Sequence, residues 1–329
     1  MTPSTGTRVT TQTTTQDPTR AKTRAAQLAS PCAELAEAIA ARTPLTGRNQ
    51  TSVPGLMLFR QVAPSICHLA SVEPGVTLFA QGGKRITIGG ADYLCRAGSF
   101  LVASVDLPVQ SQIVEATPAK PQLSLRLLFD MKTVRDVVSR EELPTSVPAT
   151  ERRGLAVGHA TAELIRVGLR LVQLADHPEE ISFFRPLLER ELIYRILQTP
   201  QGERLRAIAT AGNISQRTAK VIAWLSAHYA SPLRMETLAE IAHMGVSTLH
   251  HQFRALTGMS PLQFQKQLRL KTARERMVND GLDATRAAFE VGYESVSQFN
   301  REYSRFFGQP PMRDARLLRE GMQRVTDAA

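Results

Sequence analysis

Residues 296–307 read VSQFNREYSRFF and separate two kinds of side chain at helical spacing. Phe299, Tyr303 and Phe306 recur at three- and four-residue steps and share an inward face with Val291. Ser297, Gln298, Asn300, Arg301 and Arg305 fall on the outward face. Hydroxyl and amide groups beside arginine forks are the side chains that hydrogen-bond base edges and phosphate oxygens. The same skeleton stands 50 positions upstream in VSTLHHQFRAL, residues 246–256. There Leu249, Phe253 and Leu256 take the apolar face, and Ser247, Thr248, His250, His251 and Arg254 the outward one. At that offset Gly258 also matches Gly308, and Pro261 matches Pro311.

Short elements flank both copies. METLAEIA (235–242) predicts a helix with Leu238 and Ile241 inward, HMG predicts a turn, and TRAAFEVG (285–292) takes the helix position in the second copy. This is helix-turn-helix spacing. Gly258 and Gly308 end the second helices, and Pro261 opens the next one at its first turn. Between the copies, PLQFQKQLRLKTARERMVND (261–280) predicts one continuous helix. It offers Leu262, Phe264, Leu268, Leu270, Ala273 and Met277 to both cores, and Lys266, Arg269, Lys271, Arg274 and Arg276 to phosphates. About nineteen residues at 1.5 Å each make a rod of roughly 28 Å. Recognition helices in successive major grooves stand roughly 34 Å apart, so one chain can hold two of them. The run of Arg313, Arg316 and Arg319 reads as a solvated helix face.

A chain of 329 residues has room for two domains. Its net charge of +10 points to an anionic partner, double-stranded nucleic acid ahead of a membrane surface. Cys32, Cys67 and Cys95 are too few and scattered for a disulfide framework and form no CxxC pair, which fits a reducing compartment. The first 25 residues are Thr-rich and basic without an apolar signal core, and no stretch supplies 18 consecutive apolar residues. The expectation is a cytoplasmic protein with no membrane partner and a disordered tail over 1–29.

Elsewhere SPCAELAEAIAART (30–43) predicts a short amphipathic helix. From 53 to 130, short apolar runs alternate with Gly, Pro and Asp: LMLFR, VTLFAQ, RITI, ADYLC, SFLVAS, QSQIVEA and LSLRLLFD. Gly89-Gly90 between RITI and ADYLC predicts a primed hairpin turn. Such spacing suggests a small barrel or sandwich. Residues 131–211 turn helical, with a break at Asp176-His177-Pro178 and a boundary at Gly212-Asn213. The fold class is therefore α+β multidomain. A β-barrel or sandwich domain with an N-terminal helix (30–148) precedes a helical connector that can also dimerise (149–212). An all-α domain (213–329) follows, with two helix-turn-helix motifs on a long linker helix. Residues 50–130 hold one histidine, His68, too few for the converging ligands of a metal-dependent cupin enzyme. No nucleophile elbow, P-loop or HExxH motif is present, so no catalytic residue, cofactor or metal is expected. His250 and His251 are adjacent on a helix and point about 100° apart, which disfavours a shared ion. Cys67 and Cys95 read as small hydrophobes rather than thiol sensors.

From about Ser215 to Leu318 the sequence resembles the DNA-binding domain of the AraC/XylS family of bacterial transcription regulators. VGYESVSQFNREYSRFFGQPP carries the likeness through Gly292, Tyr293, Ser295, Phe299, Arg301, Tyr303, Gly308 and Pro311, with LRLKTAR before it. The stretch from about Gly55 to Asp130 resembles the cupin-like N-terminal domain of one subgroup. Together the resemblances imply sequence-specific binding of promoter DNA, contact with RNA polymerase, an unidentified small-molecule effector and a possible homodimer. The sequence departs from the family at Gly245, where Ser is frequent, and at His251, where Arg is. Glycine at an N-cap costs only a few tenths of a kcal/mol relative to Ser, so the fold stands. The histidine removes a fixed charge and a bidentate donor, so the first helix relies less on charge.

Overall fold

The computed structural model describes residues 18–140, 153–210 and 214–327. Helix α1 (Pro18–Ala41) corrects the expected tail over 1–29: residues 18–29 are helical, and 1–17 lie outside the described residues. The physical reason is composition, because TRAKTRAAQLAS is rich in the strong helix formers Ala, Arg, Lys and Leu. From Leu28 onward, Cys32, Leu35 and Ile39 continue a buried stripe.

Nine strands follow: β1 (Gly47–Gln50), β2 (Leu56–Gln61), β3 (His68–Val72), β4 (Gly75–Gln81), β5 (Gly83–Ile88), β6 (Ala91–Arg96), β7 (Ser99–Ala103), β8 (Leu107–Glu115) and β9 (Gln122–Leu128). Then come α2 (Met131–Arg140), β10 (Leu155–His159), α3 (Ala162–Gln173), α4 (Ile181–Leu197) and α5 (Glu203–Ala209). The strands form two antiparallel sheets, a six-stranded one in the order β1-β2-β9-β4-β7-β10 and a four-stranded one in the order β3-β8-β5-β6. Alternation along each strand sorts the side chains into layers. Val76, Leu78, Leu125 and Leu127 face outward from the larger sheet onto α1, α3 and α4, meeting Leu35, Ile165, Leu171 and Ile193. Phe79 and Leu101 face the smaller sheet, where Ile86 and Val109 meet them. Gly89 and Gly90 take φ of +53° and +78°, the left-handed pair that the primed turn requires.

Of the connector expected over 149–212, the described residues are 153–210, and they pack on the sheet domain. Strand β10 pairs with β7 at the edge of the larger sheet, and α3 and α4 bury their apolar faces on that same sheet. These helices belong to the N-terminal domain, and the apolar surface that suggested a dimer is largely used within the chain. The expected boundary at 212–213 lies outside the described residues. Cys95 is buried, with its thiol pushed up to about 12 by burial, while Cys67 is exposed.

The C-terminal domain comprises α6 (Ile214–Ala227), α7 (Met235–Ala242), α8 (Val246–Thr257), α9 (Pro261–Asn279), α10 (Ala284–Glu290), α11 (Val296–Phe307) and α12 (Pro311–Asp327). Helix α9 serves two cores. Phe264 and Leu268 pack with Leu238, Leu249 and Phe253, whereas Leu270, Ala273 and Met277 pack with Val291, Phe299 and Tyr303. Leu262, expected in a core, is instead exposed, because it lies one position beyond the buried stripe of Pro261, Phe264 and Gln265. Ile241 and Phe306 are half-buried. The first core is continuous with the space between the sheets: Val105 and Leu107 share it with Leu249 and Leu256. The Gly154 amide donates to the Leu256 carbonyl at 2.7 Å, and the hairpin turn at Gly89 rests on Gly258.

Candidate nucleic-acid interface

Local chemistry sets up both outward-facing helices. Helix α11 starts at Ser295, whose hydroxyl accepts from the Gln298 amide at 3.3 Å, whereas α8 starts at Gly245 without a side-chain cap. Gly258 and Gly308 end the two helices in left-handed conformation, at φ +78° and +75°. The turn before α11 uses Gly292 at φ +89°, and a Cβ there would meet the Ala230 carbonyl oxygen at 2.1 Å. The turn before α8 uses His243 at φ +48°. Thus one copy carries glycine at its left-handed turn residue and the other carries histidine.

Ser247, Thr248, His250, His251 and Arg254 are all exposed on α8. On α11, Ser297, Gln298, Arg301 and Arg305 are exposed, but Asn300, expected outward, is half-buried with its Oδ1 shielded and unpartnered. It lies at the border of the helix face, next to the buried Phe299. Among the described residues, the side chains of Arg254, Arg301 and Arg305 have no protein hydrogen-bond or ion-pair partner. Three guanidinium groups therefore project from the two helices with all their donors available.

The basic side chains of α9 behave differently, and their expected role toward phosphates is corrected. Lys266 Nζ lies 2.8 Å from Glu302, and Lys271 Nζ 3.3 Å from Glu275. Arg269 donates to the carbonyls of Tyr229, Ala230, Ser231 and Gly292. Buried Arg274 makes a bidentate pair with Asp314 at 2.8 and 3.0 Å, and Arg276 pairs with Glu290. Apart from Lys271, whose partner Glu275 lies within α9, these cations join the helix to its neighbours. A sequence displays their charge but not the partners, most of which come from other elements.

Glu302 and Asp314 are the functional residues that sequence reasoning missed. Glu302 accepts from Lys266, from the Tyr293 hydroxyl at 2.8 Å and from Gln298 Nε2 at 3.3 Å. Burial raises its carboxyl, but those three hydrogen bonds outweigh it and hold the group below the usual carboxylate range. The charged carboxylate thereby ties the exposed Gln298 to the linker helix. Asp314 does the same from α12, accepting from Arg274 and from the Tyr303 hydroxyl at 2.7 Å. The one available signal for Glu302 was its isolation as the single acid within 296–307.

Two family profiles match the chain. One, described as the AraC-type transcriptional regulator N-terminus, covers residues 52–204, and the other, a helix-turn-helix domain, covers 238–316. The HTH-type transcriptional activator RhaS of Enterobacter sp. (strain 638) is 27% identical over 165 residues, covering 50% of this chain and 56% of the relative. RhaS of Escherichia coli O1:K1 / APEC is 26% identical over 166 residues, covering 50% and 58%. The chain thus spans little more than half the length of the curated relatives it matches. Apo ToxT from Vibrio cholerae strain SCE256 superposes with a TM-score of 0.55 at 11% identity, over 82% of this chain and 98% of that one. Fatty-acid-bound ToxT gives 0.50 at 10% identity, over 76% and 94%. These two likenesses bear on the fold, a sheet-rich domain followed by paired helix-turn-helix motifs. With the N-terminal profile ending at residue 204 and the helix-turn-helix profile centred on the two exposed helices, the chain belongs to the AraC family of transcriptional regulators.

Proposed function

We propose that this chain binds DNA sequence-specifically, with α8 and α11 entering adjacent major grooves, and regulates transcription through contact with RNA polymerase. The observation that carries the reading is the contrast in how arginines are used. Those of the linker helix are satisfied within the protein, and those of the two exposed helices are not. Arg301 is the leading base contact, with Ser297 and Gln298 beside it; Ser247, His250 and His251 serve on α8, with Thr248, Arg254 and Arg305 near phosphates. The N-terminal domain modulates binding in response to an effector and acts by binding rather than turnover. Phe183 and Leu187, exposed on α4, offer a surface to a second copy. The protein works in the cytoplasm; no helix among the described residues is long and apolar enough to cross a membrane.

The test is selection of genomic DNA fragments by the full-length protein at about 150 mM salt, where non-specific phosphate binding is weakened. The expected result is a motif with two elements about one helical turn apart. Arg301→Ala should cost about 1–3 kcal/mol at one element only, roughly a 5- to 150-fold loss. Enrichment without a motif, or an equal loss on random DNA, would make the protein a non-specific architectural binder instead.

A further inference from the structure

Glu302 follows Arg301 on α11, but its side chain is only 19% exposed and meets α9 rather than solvent. Both of its oxygens are occupied. Oε1 accepts from Lys266 Nζ at 2.8 Å and from Gln298 Nε2 at 3.3 Å, and Oε2 accepts from the Tyr293 hydroxyl at 2.8 Å. Tyr293 is itself fixed: it is buried, its ring meets Phe299 edge-on with centroids 5.3 Å apart, and the Arg269 guanidinium lies 5.9 Å over it. The carboxylate is therefore held from two elements outside α11, the linker helix and the turn that precedes α11. Its third donor, Gln298, is exposed three residues before the exposed Arg301, on the same face of the helix.

A carboxylate held ionised by these bonds accepts and does not donate. The amide nitrogen of Gln298, and not its oxygen, must then face Glu302. In a planar carboxamide the oxygen stands on the other arm, and the nitrogen keeps one further N–H. Gln298 thus carries one donor beside one acceptor in a set order. In the major groove adenine presents the matching pair, the N7 acceptor and the N6 donor. Guanine presents two acceptors, cytosine a donor, and thymine an acceptor beside its methyl group. An untethered glutamine presents its amide either way round and has to be ordered on binding, which lowers both discrimination and affinity. The first copy has no such device, because 50 positions earlier the equivalents of Gln298 and Glu302 are Thr248 and Gln252.

We propose that Glu302 is a positioning residue that fixes the carboxamide of Gln298 to read an adenine in the element bound by α11. The adenine rests on the reading of α11 as a major-groove helix; the anchoring of Gln298 does not, since it exists in the free protein.

The test makes two measurements on the full chain. In the first, the wild type, Gln298→Ala, Glu302→Gln and the double variant select from a pool of randomised duplex DNA at about 150 mM salt. Glu302→Gln keeps the shape of the side chain but leaves one acceptor oxygen for three donors. The wild-type α11 element, identified by its weakening in Arg301→Ala, should hold an adenine whose preference falls about 5- to 150-fold in Gln298→Ala, the worth of one bidentate contact. Glu302→Gln should lower that same preference by about threefold or more, leave the other positions of both elements unchanged, and cause no further loss in the Gln298→Ala background. A purely structural role would instead weaken every position of the element and would persist without Gln298. Either of those results overturns the proposal, as does an α11 element with no adenine that depends on Gln298. In the second measurement, without DNA, NMR relaxation of the glutamine side-chain amides should show Gln298 ordered in the wild type and mobile in Glu302→Gln; equal mobility overturns the anchoring. A wild type that selects no motif removes the adenine together with the regulatory reading, while the relaxation result still decides the anchor, so the two failures are told apart.

Discussion

Gly89 and Gly90 offer a matched pair of substitutions that isolates the docking of the first helix-turn-helix on the sheet domain. Both residues sit in the β5–β6 turn at positive φ, +53° and +78°. Alanine at either position therefore incurs the left-handed cost of roughly 1–2 kcal/mol. They differ in what a Cβ meets. At Gly90 nothing lies within 4 Å, whereas at Gly89 the Cβ falls 2.5 Å from Gly258 Cα and 2.8 Å from its carbonyl oxygen. Both neighbours are backbone, so relief requires the hairpin and the end of α8 to separate by about an ångström, and such overpacking costs roughly 1–3 kcal/mol. The excess of Gly89→Ala over Gly90→Ala is therefore about 1–3 kcal/mol, or roughly 5- to 150-fold in the opening equilibrium of this contact. The Gly154 amide, which donates to Leu256 at 2.7 Å across the same contact, is the reporter. Its hydrogen exchange should accelerate by that factor in Gly89→Ala relative to Gly90→Ala. Equal exchange in the two variants would refute the reasoning, since it would mean that the hairpin and α8 do not hold each other.

Three more outcomes follow from the geometry. Asp314→Ala strands buried Arg274 and the Tyr303 hydroxyl and should cost about 3–5 kcal/mol locally; the DNA footprint should contract to the element read by α8, and an unchanged footprint would contradict this. Gly292→Ala combines positive φ with a 2.1 Å approach to a backbone oxygen, so it should lower the melting temperature by at least several degrees, while Gly308→Ala, with open space around it, should cost only its φ strain. For pH, Lys84 is a base that burial, and then the neighbouring Arg126, holds at about 8 in the folded chain, below its ordinary value. The unfolded chain then binds more protons above pH 8, so this group contributes increasing stability as pH rises from about 8 toward 10. Denaturant midpoints should show that rise in the wild type and lack it in Lys84→Met, with Arg126, Cys95 and His68, the titratable groups facing Lys84, common to both.

Legibility followed the range of the interaction concerned. The repeat, its turns and its caps were readable because they are local: φ at Gly258, Gly308 and the Gly89-Gly90 pair follows from residue type and position. Most strands were readable from alternation, but β1 (GRNQ) is a polar edge strand with no apolar pattern, and β10 (LAVGH) is a five-residue run amid helical periodicity. Only the long-range pairing with β7 makes β10 a strand. Charge was least legible. The basic residues of the linker and Arg301 look alike in sequence; what distinguishes them is a carboxylate or carbonyl in reach, as Asp314 is for Arg274 forty positions away. Asn300 failed for a related reason, since a residue at the edge of a helix stripe is placed by the neighbouring helix and not by its own spacing.

The two copies share a skeleton but not a core, and the difference bears on how a signal can travel. Helix α11 closes a compact core of its own with α9, α10 and α12, reinforced by the Arg274–Asp314–Tyr303 hydrogen bonds. Helix α8 instead completes a core that continues between the two sheets, through Leu249 and Leu256 to Val105, Leu107 and Val109. Close-packed interiors transmit displacement rather than absorb it. A shift of the smaller sheet against the larger one therefore moves the bed on which α8 rests, while α11 feels it at one remove, through α9 and the 229–231 segment that Arg269 ties to Gly292. Whatever alters the relation between the sheets therefore acts on α8 first, because the core that holds α8 is shared with them.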